Sequence, residues 1–168
     1  MKILYLASAR IPTEKAHGLQ IMKMCEAFAR LGHTVELVVP RRNHALSEDP
    51  FDYYGIKRIF AIRVLPALQT VGLGYLGFLL HRLSFAYSVW RYGKNTEADV
   101  IYGRDEFALL ACGIRAPRVY EAHEGRWNVV VHQAVHRVER VVVITHALKK
   151  FFVTHGVSEG KLLVAPDA

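Results

Sequence analysis

The sequence predicts an α/β fold in which a mostly parallel sheet of about seven strands lies between two layers of helices. Two observations carry this. Short apolar, β-branched runs recur along the 168 residues and alternate with segments of helical periodicity, the order that a parallel sheet with crossover helices demands. The connections hold glycine, proline and charged residues, and no internal repeat, low-complexity tract or linker interrupts them. A chain of this length fits one domain and removes roughly 70% of its unfolded surface from water, enough for a core without covalent staples.

KILYLAS (2–8) opens as a buried parallel strand, followed by a polar loop and by GLQIMKMCEAFARLGH, where Ile21, Cys25, Phe28 and Leu31 recur at helical spacing. TVELVVP (34–40) is a second strand, stopped by Pro40, and RRNHALSEDPFDYY (41–54) reads as an irregular charged loop from its Pro, Asp and Ser content. IKRIFAIRVL (56–65) forms a third strand. FLLHRLSFAYSVWRYGKN then makes a long helix, with Leu79, Arg82, Leu83, Ala86 and Trp90 in i, i+3, i+4 relationships. ADVIYGR (98–104), PRVYEAHE (117–124), ERVVVIT (139–145) and KLLVAP (161–166) supply four more strands, with short helical segments in the gaps.

GLGYLG (72–77) repeats the glycine spacing of a dinucleotide-binding loop, but that loop works only where a strand ends directly before it. Here residues 66–71 intervene. Small residues before a helix explain the triplet, and an NAD(P)-binding oxidoreductase is the weakest of the functional readings.

The formal charge of +7 and pI near 9.6 favour acidic partners: phosphates, nucleic acid or an anionic membrane face. Nucleic acid is set aside because the basic residues are dispersed and no recognition-helix or RNA-binding signature is present. Cys25 and Cys112 stand in apolar stretches without disulfide or zinc spacing, so a reduced, cytoplasmic setting is expected. MKILYLASARIPTEK reads as a first strand rather than a leader, and the mature protein is expected to begin there. The apolar stretch after Leu65 is broken by polar residues well short of the roughly 20 needed to span a bilayer. Its aromatic residues Phe78, Tyr87, Trp90 and Tyr92, with Arg82, Arg91 and Lys94, suit either a core-facing helix or peripheral contact with an anionic membrane at the inner face of the plasma membrane.

In open parallel sheets, ligands sit beyond the carboxyl ends of the strands. The candidates there are Lys15, His17 and Gly18, then Arg104, Asp105 and Glu106, then His123 and Glu124, then Thr145. Gly18 lets an amide approach a phosphate at a helix N-terminus, or is a turn glycine. Arg104 offers a planar fork to a phosphate or carboxylate, or bridges to Asp105, Glu106 or Glu121. His123 donates to a sugar hydroxyl or phosphate, or moves a proton near neutral pH, or is structural. Thr145 presents a hydroxyl to a ligand or caps the last helix. His132 and His136 stand one helical turn apart without a third metal ligand and read as a polar helix face; no metal is expected.

The order of landmarks resembles the N-terminal half of a GT-B glycosyltransferase of the family 4 type. The stretches that carry it are MKILYLAS, HGLQIMKMCEAFARLGHTVELVVP, ADVIYGRDEFALL, VYEAHE and VVVITHALKKFFVTHGVSEGKLLVAPDA, together nearly the whole chain. The resemblance implies a Rossmann-like three-layer α/β/α sandwich that is one of two facing domains. It implies an acceptor-side role for this one, with the nucleotide sugar held mostly by the other. It further implies transfer with retention of anomeric configuration, from a nucleotide-diphosphate sugar to a glycan or lipid-linked acceptor of the cell envelope, without metal or other cofactor. Residue by residue, it places Gly18 and His17 by the donor phosphates, His123 catalytically beside the transferred sugar, and Thr145 at the opening of the last helix on the donor side. Arg104, Glu124 and Lys15 become sugar contacts. Two departures stand out: Ala16 and His17 precede Gly18 where the family often has a second glycine, and Pro166, Asp167 and Ala168 stand where it has P-N-G. The C-terminal, donor-binding domain is absent from these 168 residues, so the chain alone is expected to be inactive. A non-catalytic subunit of a split transferase is the alternative.

Overall fold

Alternate residues of a strand point to opposite faces of its sheet, and this sequence places apolar side chains on both. In β1 (Lys2–Leu6), Leu4 and Leu6 enter one core while Ile3 and Tyr5 enter another. In β2 (Thr34–Pro40), Val38 parts from Leu37 and Val39 in the same way. So do Ile101 and Tyr102 of β4 (Val100–Gly103), and Val141 and Val142 of β6 (Arg140–Val143). Strands buried on both sides need helices on both sides.

The computed structural model describes residues 1–41, 48–70 and 72–166. With β3 (Ala61–Leu65), β5 (Arg118–Ala122) and β7 (Leu162–Val164), the strands form one seven-stranded sheet, ordered β3-β2-β1-β4-β5-β6-β7 and parallel throughout. On one face lie α1 (Ala16–Arg30), through Ile21, Met22 and Cys25, and α2 (Pro50–Tyr54), through Phe51. On the other lie α3 (Gly74–Gly93), α4 (Glu106–Ala111), α5 (Val129–Arg137) and α6 (His146–Thr154), through Phe85, Leu109, Val131 and Phe152. Full burial of side chains such as Phe85 and Phe152 stabilises by roughly 1.5–3 kcal/mol each. The three-layer Rossmann-like sandwich is thus as the sequence predicts. Cys25 and Cys112 are both free and lie in the two separate cores.

Two elements differ from expectation. The third strand is half as long as residues 56–65 would allow, because Gly55 ends α2 at φ 61 and the Ile56 amide folds back to the Phe51 carbonyl at 2.9 Å. Ile56 is then drawn into the core, and pairing with β2 starts only at Ala61. The charged loop contains α2: the Asp49 carboxylate caps the Phe51 amide at 2.9 Å, and Pro50 takes the first turn, where no amide is needed. The rest of that loop, residues 42–47, lies outside the described residues, as do Val71, Asp167 and Ala168.

The glycine triplet has a local structural use. Gly74 takes φ 70 at the start of α3, and a Cβ on Gly77 would sit 2.1 Å from the Thr70 carbonyl oxygen. The triplet turns the chain into α3; it does not end a strand. From β1 the chain runs outward through β2 and β3, and α3 carries it back to β4 on the far side of β1. The β1/β4 boundary is therefore where connections diverge, and a crevice opens at its carboxyl end.

Candidate functional site

That crevice is a cleft of about 560 Å³, within the usual range for small-molecule sites. It is lined by Ala7, Ser8 and Ala9, just after β1, by the residues after β4, and by the end of β5 and the residues that follow it. Strand alternation divides the polar side chains of this lining between the two faces of the sheet.

On the α1 face, Glu121 and His123 stand two residues apart at the end of β5, so both side chains point the same way. Glu121 is 2% exposed. Its Oε1 accepts from Arg104 Nη2 at 2.6 Å and faces His123 Nε2 at 2.6 Å, while its Oε2 accepts from Tyr5 Oη at 3.1 Å. Arg104 also donates from Nε to Tyr5 Oη at 3.0 Å and from Nη1 to Gln20 Oε1 at 2.9 Å. Burial opposes ionisation of Glu121, but the hydrogen bond with His123 and the adjacent Arg104 charge outweigh it and bring the carboxyl down to about 2. The carboxylate is therefore charged throughout the working pH range. Burial alone pushes the Tyr5 hydroxyl up, and the Glu121 charge adds to the shift, so Tyr5 stays a neutral donor.

On the α3 face, Arg82 donates from Nε to Asp105 Oδ2 at 3.0 Å and from Nη2 to Glu106. Glu106 Oε1 accepts further bonds from Arg126 at 3.0 Å and from Tyr120 Oη at 3.1 Å. Asp105 caps α4 by accepting from the Ala108 amide at 2.8 Å, and the Arg82 guanidinium lies 4.4 Å from the centre of the Phe107 ring. Burial raises the Asp105 carboxyl despite Arg82; for Glu106 burial is outweighed by Arg82 and the carboxyl is lowered. This cluster joins α3, α4 and β5 beside the cleft. It also corrects the grouping of Arg82 with cations free to meet a membrane, since its side chain is only 11% exposed and turned inward.

Of the sequence-derived candidates, Lys15, His17, Arg104, Asp105, Glu106, His123 and Glu124 line the cleft together. Arg104 bridges to Glu121 and not to Asp105 or Glu106. Gly18 and Thr145 are not among its walls. The Gly18 amide donates to the Lys15 carbonyl at 2.9 Å, and a Cβ there would meet Tyr54 Oη at 2.2 Å and Thr13 Cγ2 at 2.5 Å, so the glycine is required by packing. Thr145 Oγ accepts from the Leu148 amide at 3.0 Å, which is the capping role. The rings of His132 and His136 meet at a tilt on the surface of α5, with centres 4.4 Å apart. Among the described residues, no group of three side chains suits a metal ion, and no helix is long and apolar enough to cross a membrane.

Tyr5, Gln20, Arg82, Tyr120 and Arg126 escaped sequence reasoning as site residues, and Glu121 entered it only as a partner for Arg104. One signal was available for Glu121: a lone carboxylate inside an apolar strand run must find a buried partner.

A parallel sheet with a polar cleft at its switch point is the architecture of a Rossmann-like ligand-binding lobe. Solved structures agree on the fold. The chain is 17% identical to Anabaena HepE (Alr3699) in complex with UDP, with a TM-score of 0.63, covering 100% of this chain and 44% of that one. It is 14% identical to the lipopolysaccharide outer core galactosyltransferase WaaB, with a TM-score of 0.64, covering 98% and 45%. The UDP-GlcNAc 2-epimerase of Methanocaldococcus jannaschii is 11% identical, with a TM-score of 0.68, covering 98% and 45%. The chain thus spans less than half the length of each of these. An epimerase matches as well as the transferases do, so backbone shape alone selects no reaction. Sequence gives the family: the chain belongs to Glycosyltransferase Family 4, whose pattern matches residues 18–167, and it has the N-terminal domain fold of a GT-B glycosyltransferase. No curated protein matches it.

Proposed function

We propose that this domain is the acceptor-side lobe of a retaining glycosyltransferase, which moves a sugar from a nucleotide-diphosphate donor to a glycan or lipid-linked acceptor. The reaction takes place between this cleft and a second, donor-binding lobe. The observation that carries the reading is the placement of His123: at the tip of β5, on the cleft beside the β1/β4 switch point, held by a buried carboxylate. In this reading His123 meets the transferred sugar, and Lys15, His17 and Glu124, all exposed on the same cleft, contact donor or acceptor. Gly18 supports the first turn of α1 and leaves contact with the donor phosphates to its neighbours. The chemistry uses no metal.

The acceptor approaches over α3. Tyr75, Leu76, Leu80 and Leu83 stand exposed along its first half, with Leu73 exposed at its N-cap, and Phe78 on the same helix lines the cleft. Such a row suits an acceptor carried on a lipid, with Arg91 and Lys94 at the far end of the helix available to anionic headgroups.

HepE structures hold UDP and UDP-glucose, so uridine-diphosphate sugars are the first donors to test. The domain joined to its second lobe is expected to transfer the sugar, with the anomeric configuration of the product, read by proton NMR, the same as in the donor. The 168-residue domain alone is expected to leave the donor unconsumed, because the leaving diphosphate then lacks its cationic support, and one missing oriented donor alone typically costs about 100-fold to 1,000-fold. An inverted product, or ordinary turnover by the isolated domain, overturns the reading.

A further inference from the structure

We propose that Glu121 is the positioning residue for His123, and that it fixes which ring nitrogen serves the reaction. The inference deepens the reading above and rests on it for the reaction; the tautomer it assigns rests on the short Glu121–His123 contact and on the charge that Arg104 keeps on Glu121.

An ionised carboxylate has only acceptors to offer. Glu121 Oε1 lies 2.6 Å from His123 Nε2, so Nε2 carries the proton whether the ring is neutral or charged. In the neutral ring Nδ1 is then the basic atom, and proton exchange with a substrate runs through Nδ1. The carboxylate cannot turn away, because its other bonds hold it. Arg104 Nη2 shares Oε1 at 2.6 Å, Tyr5 Oη occupies Oε2 at 3.1 Å, and Arg104 is itself held by Tyr5 Oη and Gln20 Oε1. The assembly joins β1, α1, β4 and β5, so four elements agree on one imidazole orientation. Arg104 has three partners inside the protein, and in this inference its task is to keep Glu121 charged and still, not to grip a phosphate.

A Glu121 that only bolts strands together would leave the ring of His123 free to exchange tautomers. Two measurements separate the cases. Long-range nitrogen–proton NMR on the isolated domain, with the His123 signals assigned by their loss in His123→Gln, is expected to report a neutral ring protonated at Nε2 alone. A ring protonated at Nδ1, or an even mixture, overturns the proposal without touching the assignment of His123 to catalysis. The second uses Arg104→Met combined with Glu121→Leu, which removes both charges together and leaves neither buried and unpaired. In the complete enzyme this variant is expected to lose about 10-fold to 100-fold in kcat with the donor KM nearly unchanged, and its His123 ring is expected to become a tautomer mixture. Unchanged kcat in a folded variant overturns the proposal. Should the double variant fail to fold, the tautomer read on the wild-type domain decides alone. Failure of the function reading looks different, since His123→Ala would then keep full activity while the wild-type tautomer stayed as assigned.

Discussion

Two buried clusters of arginines and carboxylates flank the same cleft, one on each face of the sheet, and they differ in what they hold. The α1-face cluster ends in a histidine that is 25% exposed to the cleft, while the α3-face cluster binds α3 to α4 and β5 around Asp105 and Glu106, whose side chains are 5% and 2% exposed. Both consist of charges that cannot be left alone in a low-dielectric setting. One displays a histidine to the cleft; the other borders the cleft as well, but its carboxylates are taken up by Arg82 and Arg126. Position on a strand, more than residue type, decides which cluster a charge joins. Arg104 and Asp105 are neighbours in the chain and belong to different clusters, because one residue along the strand end means the opposite face.

The largest effect is expected from the α3-face cluster. Arg82→Met leaves Asp105 with no cation and Glu106 with Arg126 alone, and breaking a buried pair in this way typically costs about 3–5 kcal/mol. Equilibrium unfolding in urea reads this directly, and a loss under about 1 kcal/mol would mean that the cluster is not what secures α3. His123→Ala inverts the pattern. In the complete enzyme, turnover is expected to fall by about 100-fold to 10,000-fold, the usual range for a positioned acid or base, with little change in Tm.

Glu121 and Asp105, one from each cluster, respond to pH in opposite directions. Glu121 has a folded-state value of about 2 against an ordinary 4.5, so its contribution is complete above the ordinary value and is lost as pH falls toward the folded one. At 2% exposure that contribution is roughly 3 kcal/mol. Asp105 runs the other way, since burial raises it and protonation on acidification relieves a cost. Comparing wild type with Glu121→Gln isolates the first effect: between pH 5 and 2 the wild type is expected to lose roughly 3 kcal/mol more stability than the variant. Parallel curves would show that Glu121 is not held as described.

The smallest effect concerns the outer side of α3, opposite Arg82. Vesicles containing anionic lipid are expected to retain the domain weakly, and Leu73→Ser with Leu76→Ser is expected to abolish retention. With Arg82 turned inward, raising the salt concentration should release less protein than a row of free cations would. Retention unaffected by the two substitutions would move the docking surface elsewhere.

Much of this was legible in the chain. Seven apolar runs separated by helical periods specify a parallel sheet, because strands covered on both faces have no polar side to display. His123, Lys15, His17 and Glu124 could be nominated because strand ends in such sheets meet ligands, and the structure does gather them around one cleft. Gly18 and Thr145 were nominated by the same rule, but their local geometry gives them packing and capping. The α2 helix and the shortened third strand were harder to see, since an Asp-Pro start reads equally as a loop and the Gly55 turn comes from a fold-back three residues after Asp52.

Local sequence specifies the elements, their order, and the placing of polar residues at the carboxyl ends of strands, because hydrophobic periodicity and turn chemistry act over a few residues. Tertiary structure alone decided the partners. Tyr5 and Glu121 are 116 positions apart in the chain, as Arg104 and Gln20 are 84, and each pair meets only once the strands have taken their order in the sheet. Register and crossover bring them together, and no pattern of neighbours along the chain encodes a contact of that kind.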